Sequence, residues 1–218
     1  MRRFISRVRN TSNLSILLVG IVLFVFVFPL FKTTGGKGHL LVPVSYTLML
    51  MSVSAIINPK KILFFVLIGL AVLFQWFVFI FNPADFPIFS YLAFAFSLIV
   101  FSLATYIMIV QIISSKEVDT SLVLQSVLAY LLIGVILVLV NVLIVSVNPG
   151  AIGFATNKPG LDEIIYYSFV TYTTIGFGDI SPVSSAARVV AIAFGLIGQL
   201  YLTIIIAFIV GKFLNKQS

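Results

Sequence analysis

The feature that most constrains this chain is a recurring long apolar run. Six segments are each long enough to cross the hydrocarbon core of a bilayer, which is about 30 Å thick. Hydrophobic residues make up 61% of the 218 positions and charged residues only 9%, whereas soluble domains are roughly a quarter charged. We therefore predict an all-α membrane protein with six transmembrane helices. The predicted spans are Leu14–Phe31, Leu40–Ile57, Ile62–Phe81, Ile88–Ile113, Leu122–Val147 and Ala186–Leu214.

A seventh apolar segment, Leu161–Tyr172, lies between the fifth and sixth spans and is too short to cross. Backbone that enters a bilayer without crossing it is tolerated only where it is buried in protein or lines a wet cavity. This segment is therefore predicted to be a re-entrant helix. The predicted domains are a basic N-terminus (1–13), a four-helix transmembrane domain (14–113), a linker (114–121) and a second membrane domain (122–218).

The basic residues are spread between the apolar runs, a pattern typical of topology signals and anionic-lipid contacts rather than of a nucleic-acid site. With the N-terminus inside, nine lie on the inner side and four on the outer side. The inner set is Arg2, Arg3, Arg7, Arg9, Lys60, Lys61, Lys116, Lys212 and Lys216, and the outer set is Lys32, Lys37, Lys158 and Arg188. This asymmetry predicts a multi-pass plasma-membrane protein with both termini cytoplasmic.

The basic start followed by an apolar run also fits a cleaved signal peptide. The run over 14–31 is longer than a usual signal core, and no small-residue cleavage site follows it, so a retained span is favoured. Cysteine is absent, which excludes disulfides and thiol chemistry.

Residues 171–179 read Thr-Tyr-Thr-Thr-Ile-Gly-Phe-Gly-Asp. This run resembles the selectivity filter of potassium channels, T-x-x-T-x-G-[YF]-G-D, in which rings of backbone carbonyls replace the water shell of the ion. Glycine permits the unusual dihedrals that such a loop needs. The resemblance implies potassium coordination by Thr174, Ile175, Gly176, Phe177 and Gly178, with potassium as the permeant ligand and no other cofactor. Phe177 is expected to face away from the ion and pack behind the filter. The alternative is a glycine-rich turn between helices.

The resemblance covers residues 122–218 as a helix, pore loop and helix, with Leu161–Tyr172 as the pore helix. The residues expected to support the filter are Tyr166, Tyr167, Thr171 and Asp179. Related patterns place a glutamate where this chain has Val170, so Asp179 is left with Tyr166 or the backbone as a partner. The two tyrosines also fit the alternative role of aromatic anchors at the membrane interface.

Three residues of the sixth span match functional positions of related inner helices. Gly198 lies at the spacing of a hinge glycine, although a small residue there also fits close helix packing. Gln199 and Ile206 correspond to positions that line the cavity below the filter. A hydrogen bond from Gln199 to Asn141 of the fifth span is the alternative to a cavity position.

One filter loop supplies one quarter of a pore, so the resemblance implies a homotetramer. The fourth predicted span contains no Arg or Lys, although a voltage sensor needs charge on which the field can act. The chain is therefore expected to be a potassium-selective channel that is not strongly voltage-gated, in contact with potassium ions and membrane lipids. The alternatives are a cation channel of relaxed selectivity and a subunit of a potassium uptake transporter. No enzyme motif is present in the sequence.

Overall fold

The computed structural model describes residues 11–27, 41–56, 62–81, 87–115, 118–155 and 159–215. Helices account for almost all of the regular structure in these ranges. They are α1 (Thr11–Val22), which a π-helical segment (Leu23–Val27) continues, α2 (Leu41–Ile56), α3 (Ile62–Ile80), α4 (Pro87–Ser114), α5 (Thr120–Val147), α6 (Leu161–Tyr172) and α7 (Ser185–Asn215). Two short antiparallel strands, β1 (Ile152–Gly153) and β2 (Ser181–Pro182), pair with each other.

Four helices are long and apolar enough to cross a membrane, namely α3, α4 from Ile88, α5 and α7 up to Leu214. The first two predicted spans correspond to shorter apolar helices, Leu14–Val27 and Pro43–Val53. The chain is thus a helical multi-pass membrane protein, as predicted. The short apolar segment is also confirmed as a helix, because α6 has the predicted bounds, Leu161–Tyr172.

Some sequence predictions lie outside the described residues. They concern the N-terminus up to residue 10, the turns at 58–61 and 82–86, the ends of the first two spans, and the basic residues at 2, 3, 7, 9, 32, 37, 60, 61, 116, 158 and 216.

The described residues group into two compact units. The first unit contains α1 to α4 and the beginning of α5 up to Ala129, and the second contains the rest of α5 from Tyr130 to the end of α7. The predicted domain boundaries at residues 113 and 122 remain a prediction.

Aromatic packing holds the first unit together. The ring of Tyr46 lies between Phe24 and Phe101, with 5.7 Å between ring centroids on each side. Phe74 of α3 stacks on Phe96 of α4 at 5.6 Å. These contacts join α1, α2, α3 and α4 through apolar side chains, as expected of helices whose backbone groups must bond internally in lipid.

Side-chain hydrogen bonds cap the beginnings of two helices, α5 and α6. The backbone N–H of Leu122 donates to Asp119 Oδ1 at 3.0 Å, which satisfies a donor in the first turn of α5. At α6 the backbone N–H of Gly160 donates to Glu163 Oε2 at 2.9 Å. Asp162 and Glu163 both lie in this first turn, where the helix dipole favours negative charge.

Candidate ion-conducting loop

The loop after α6 folds back onto the last turn of that helix through backbone hydrogen bonds. The N–H of Thr173 donates to the carbonyl of Phe169 at 2.9 Å. The N–H groups of Ile175 and Gly176 both donate to the carbonyl of Val170, at 3.0 and 3.2 Å. The last carbonyls of a helix have no partner within the helix. Here the loop supplies their donors, so its start has a fixed geometry.

Left-handed backbone alternates along this loop. Thr174, Gly176 and Gly178 have φ values of 61°, 58° and 81°, and the intervening Ile175 and Phe177 are not among the positive-φ residues. The sequence predicted special dihedrals at the two glycines but not at Thr174. Positive φ is rare for a β-branched residue, and such conformations cost about 1–3 kcal/mol each. The alternation therefore starts at a strained residue at the inner end of the loop.

The carbonyl oxygens of residues 174–178 accept no backbone N–H from the described part of the chain. Because residues 174–178 are exposed in the single chain, these carbonyls are open to water or to an ion. Such carbonyls are common in ion filters, where carbonyl oxygens replace the hydration shell of the ion. The backbone of this loop can therefore offer oxygen ligands.

The side chains of the loop are uncovered within a single chain. Ile175 is 58% exposed and Phe177 is 70% exposed. Most of the Phe177 ring is uncovered by the described residues of its own chain, and the expectation that it packs behind the filter stays a prediction. Apolar side chains this exposed need either lipid or another subunit as a neighbour.

A hydrogen bond links the C-terminal end of the loop to α6. The hydroxyl of Tyr166 donates to Asp179 Oδ2 at 2.8 Å. Of the two partners that the sequence left open for Asp179, the structure identifies Tyr166. The bond to this carboxylate raises the pKa of Tyr166 above its usual value. The phenol therefore stays protonated, and remains a donor, through neutral pH.

Tyr167 points away from the loop into an apolar cluster. It is 3% exposed and packs with Ala151, Ile152 and Ala187. Its side chain is also hydrogen-bonded to that of Thr171, one turn further along α6. The carbonyl of Thr171 also accepts the backbone N–H of Thr174 at 3.1 Å. Thr171 therefore contacts the first residue of the loop directly, whereas Tyr167 contacts the apolar cluster and α6.

Strands β1 and β2 close the outer side of the loop. Ile152 pairs with Pro182 and Gly153 pairs with Ser181. The carbonyl of Ala151 additionally accepts the N–H groups of residues 183 and 184, at 2.9 and 3.0 Å. The side chain of Arg188 donates to the carbonyl of Pro182 at 3.3 Å. The segment before α6 is thus fastened to the segment after the loop.

A buried polar pair joins α5 to α6. Asn141 Nδ2 donates to Ser168 Oγ at 2.9 Å, and Ser168 donates onward to the carbonyl of Ile164 at 2.6 Å. Asn141 and Ser168 are only 2% and 0% exposed. The alternative that Asn141 bonds to Gln199 is not borne out, because the side chain of Asn141 is bonded to Ser168 and that of Gln199 to Thr174.

Glycines allow two close approaches to α6. A Cβ atom at Gly134 of α5 would lie 2.7 Å from the ring of Phe169. A Cβ at Gly198 of α7 would overlap the carbonyl oxygen of Tyr172 and lie 3.1 Å from its ring. The structure therefore supports the packing role for Gly198 that the sequence weighed against a hinge. α7 is a continuous helix through this position.

The two cavity candidates lie on uncovered faces of α7. Gln199 is exposed, and its Oε1 accepts a hydrogen bond from Thr174 Oγ1 at 3.4 Å. Ile206 is 57% exposed. The structure thus brings Gln199 to the inner end of the loop, whereas Ile206 contributes an open apolar surface further along the helix.

Residues 126–215 match a family model described as ion channel. Over these residues the chain is similar to that family. The match covers less than half of the chain, but it includes most of α5 and all of α6, the loop and α7. It confirms the resemblance to the potassium channel pore-loop family over these residues. The chain matches no curated protein and no solved structure. Ion channels are a class of transport proteins rather than of enzymes, and the absence of enzymatic activity in this protein stays a prediction.

One feature of the channel segment could not be found from the sequence. Tyr130, Tyr172 and Tyr201 lie on three different helices and form one aromatic cluster. The ring centroid of Tyr130 is 4.7 Å from that of Tyr172 and 5.7 Å from that of Tyr201. The hydroxyl of Tyr172 is buried and has no hydrogen-bond partner among the described residues. No sequence spacing links these residues, so only the packing of α5, α6 and α7 could reveal the cluster.

Proposed function

We propose that this protein is a potassium-selective channel whose filter is the loop of residues 174–178. The observation that carries the proposal is the alternation of left-handed backbone at Thr174, Gly176 and Gly178. It accompanies a run of five carbonyls that accept no backbone donor from the described residues. A dehydrated potassium ion needs a dense set of carbonyl oxygens along its path, and this loop offers them from consecutive residues.

We propose a homotetramer, because four copies of the loop are needed to surround an ion with carbonyl oxygens. One chain supplies one carbonyl at each level, whereas rings of four are needed to surround an ion. Only 17% of the apolar span of α7 is buried within its own chain, compared with 56% for α5. The exposed face of α7 and the exposed side chains of Ile175 and Phe177 are available to neighbouring copies. Closed cyclic symmetry would place four loops around one axis.

The proposed topology has six spans, with α6 re-entrant. A helix of 12 residues is about 18 Å long, which is shorter than a bilayer core of about 30 Å. The excess of basic residues on one side supports a topology with both termini in the cytoplasm and the C-terminal end of the loop outside. The plasma membrane is the proposed location, with potassium ions and lipids as partners.

Steep voltage gating is not part of the proposal. The helix in the place of a voltage sensor, α4, contains no charged residue over Pro87–Ser114. An electric field does work of about 2.3 kcal/mol per elementary charge per 100 mV. A helix without charge therefore gives the field nothing to move, and the opening stimulus must act in another way.

The test is the reversal potential of the purified protein in planar bilayers under opposed potassium and sodium gradients. A reversal potential close to the potassium equilibrium value is expected. A value near zero with clear current would replace this proposal with a channel of relaxed selectivity. Absence of current, together with absence of potassium binding to the same sample, would reject a conducting filter.

A further inference from the structure

The inner helix α7 comes unusually close to the base of the filter loop. Gly198 is buried, and a Cβ there would overlap the carbonyl oxygen of Tyr172 and press on its ring at 3.1 Å. Tyr201, three residues further along α7, lies beside Tyr130 in the aromatic cluster described above. These contacts fix the register of α7 against the end of α6. The residue after Gly198 is thereby placed next to the start of the loop.

That residue, Gln199, contacts the hydroxyl of Thr174. Thr174 Oγ1 donates to Gln199 Oε1 at 3.4 Å, which is long for a hydroxyl hydrogen bond and fits an orienting contact better than a strong tether. The backbone of Thr174 is itself fixed, with φ at 61°. Thr203, one turn further along, donates its hydroxyl to the backbone carbonyl of Gln199 at 2.9 Å. Thr203 and Thr174 therefore donate to different oxygens of Gln199, Thr203 to the backbone carbonyl and Thr174 to the side-chain amide.

The orientation of a hydroxyl decides whether it can bind a cation. A threonine hydroxyl has one proton and two lone pairs, and its proton rotates to suit the surroundings. When the proton points at an acceptor to the side, the lone pairs are free to face a cation. When no acceptor is present, the proton can point at the cation and oppose its binding. An amide oxygen beside Thr174 therefore favours the cation-binding orientation.

We propose that Gln199 is a positioning residue that orients the Thr174 hydroxyl and thereby strengthens cation binding at the innermost site of the filter. The inference rests on the proposed channel function and adds a determinant outside the filter motif. Because the amide of Gln199 is neutral, it acts locally through this contact. A charged side chain at the same place would also attract cations over a longer range.

Block by cytoplasmic barium ions tests the inference, because Ba²⁺ is close to K⁺ in size but carries twice the charge. Gln199→Met keeps a similar length and removes the acceptor. We expect the apparent dissociation constant for barium block to rise about five- to tenfold, the size associated with loss of one modest hydrogen bond. Gln199→Glu replaces the amide oxygen with a carboxylate oxygen, which also accepts a hydrogen bond. This variant is expected to retain or strengthen the block.

Thr203→Val is the matched control. It removes a hydroxyl from the same helix, one turn away, whose bond goes to the backbone of Gln199 rather than to the loop. Its barium block is expected to equal that of the unmodified protein. Unchanged block in Gln199→Met would overturn the inference. Equal weakening in Gln199→Met and Thr203→Val would overturn it as well, because general polarity of the cavity would then be the cause.

Failure of the inference is distinguishable from failure of the channel proposal. A potassium-selective current whose barium block is the same in Gln199→Met and in the unmodified protein rejects only the inference. An unmodified protein without selective current rejects the proposed function first. If the Gln199→Met variant does not conduct, barium-dependent thermal stabilisation of the purified variant decides. Reduced stabilisation supports the inference, and stabilisation equal to that of the unmodified protein contradicts it.

Discussion

The two units of this protein differ in what surrounds their buried polar side chains. In the first unit, Gln75, Ser90 and Thr105 each contain a buried oxygen with no hydrogen-bond partner among the described residues. In the second unit, the buried amide of Asn141 bonds to Ser168. An unsatisfied buried polar group costs about 1–3 kcal/mol. Both units contain paired groups as well, because Trp76 Nε1 of the first unit donates to Thr47 Oγ1 at 2.9 Å. The contrast is one of number: the described residues of the first unit hold four buried polar side-chain atoms without a partner, and those of the second unit hold one, the hydroxyl of Tyr172.

Glycine substitutions should give the largest difference between the units. Gly198→Ala forces a Cβ against the carbonyl of Tyr172, and overpacking of this kind costs about 1–3 kcal/mol. We expect a lower thermal unfolding temperature and loss of current. Gly69→Ala in α3 is the control, because a Cβ there meets nothing within 4 Å. It should leave stability unchanged or raise it slightly, since alanine is the better helix former. Similar effects of the two substitutions would show that the α6–α7 contact is not tight.

Leucine substitutions at buried amides sharpen the comparison at a smaller scale. Asn141→Leu removes the donor to Ser168 and should lower the free energy of unfolding by about 1–2 kcal/mol. Gln75→Leu removes an amide whose buried oxygen has no partner, so it should be neutral or stabilising. Chemical denaturation in detergent measures both. A destabilised Gln75→Leu variant would mean that the first unit also uses its polar groups.

Removal of the Tyr166 hydroxyl should have a smaller effect, confined to conduction. Tyr166→Phe abolishes the bond to Asp179 and frees the outer end of the loop. We expect conducting bursts in single-channel records to shorten about fivefold, as loss of a modest hydrogen bond implies. Tyr106→Phe in α4, an exposed tyrosine of the first unit, is the control and should behave like the unmodified channel.

The same bond predicts a pH dependence. Because the pKa of Tyr166 is raised by its hydrogen bond to Asp179, the bond persists at neutral pH and is lost only as the pH rises past that raised value. Bursts of the unmodified channel should therefore shorten at strongly alkaline external pH, whereas bursts of Tyr166→Phe should not shorten further. Equal alkaline sensitivity in both would assign the effect to another group.

The smallest expected effect is the change in open probability with membrane voltage, since the field has no charge in α4 on which to act. With no charged residue in α4, the limiting slope of open probability against voltage should correspond to less than about one elementary charge per subunit. Single-channel recording over a wide voltage range measures that slope. A steeper dependence would show that charge outside α4 moves in the field and would remove the contrast between the units.

The helices were predictable because long apolar runs and their breaks depend on local sequence. The bounds of α6 were predicted at both ends, and the spans over 62–81, 88–113, 122–147 and 186–214 agree with α3, α4, α5 and α7 within a few residues. The candidate loop was predictable from its motif. Tertiary partners were not: the sequence offered Gln199 as a partner for Asn141, whereas in the structure Asn141 donates to Ser168 of α6.

The sequence did not predict the strained backbone of Thr174. Glycine adopts positive φ without steric cost, so the positive φ of Gly176 and Gly178 was predictable from the sequence. Thr174 adopts the same conformation against its own preference, imposed by the bonds that return the loop to Val170. Strands β1 and β2 were missed for a similar reason, since two-residue strands have no periodic pattern to detect.

The pairing of β1 with β2 has a consequence for how this protein can be rebuilt. The stretch from Ile152 to Pro182 leaves and returns at one place, because its two ends are backbone partners. Segments whose ends meet can be inserted or exchanged with little disturbance of the host. Helix α6 and its loop therefore form a segment whose two ends lie side by side. Such a segment can be grafted as one piece between two helices of another membrane protein.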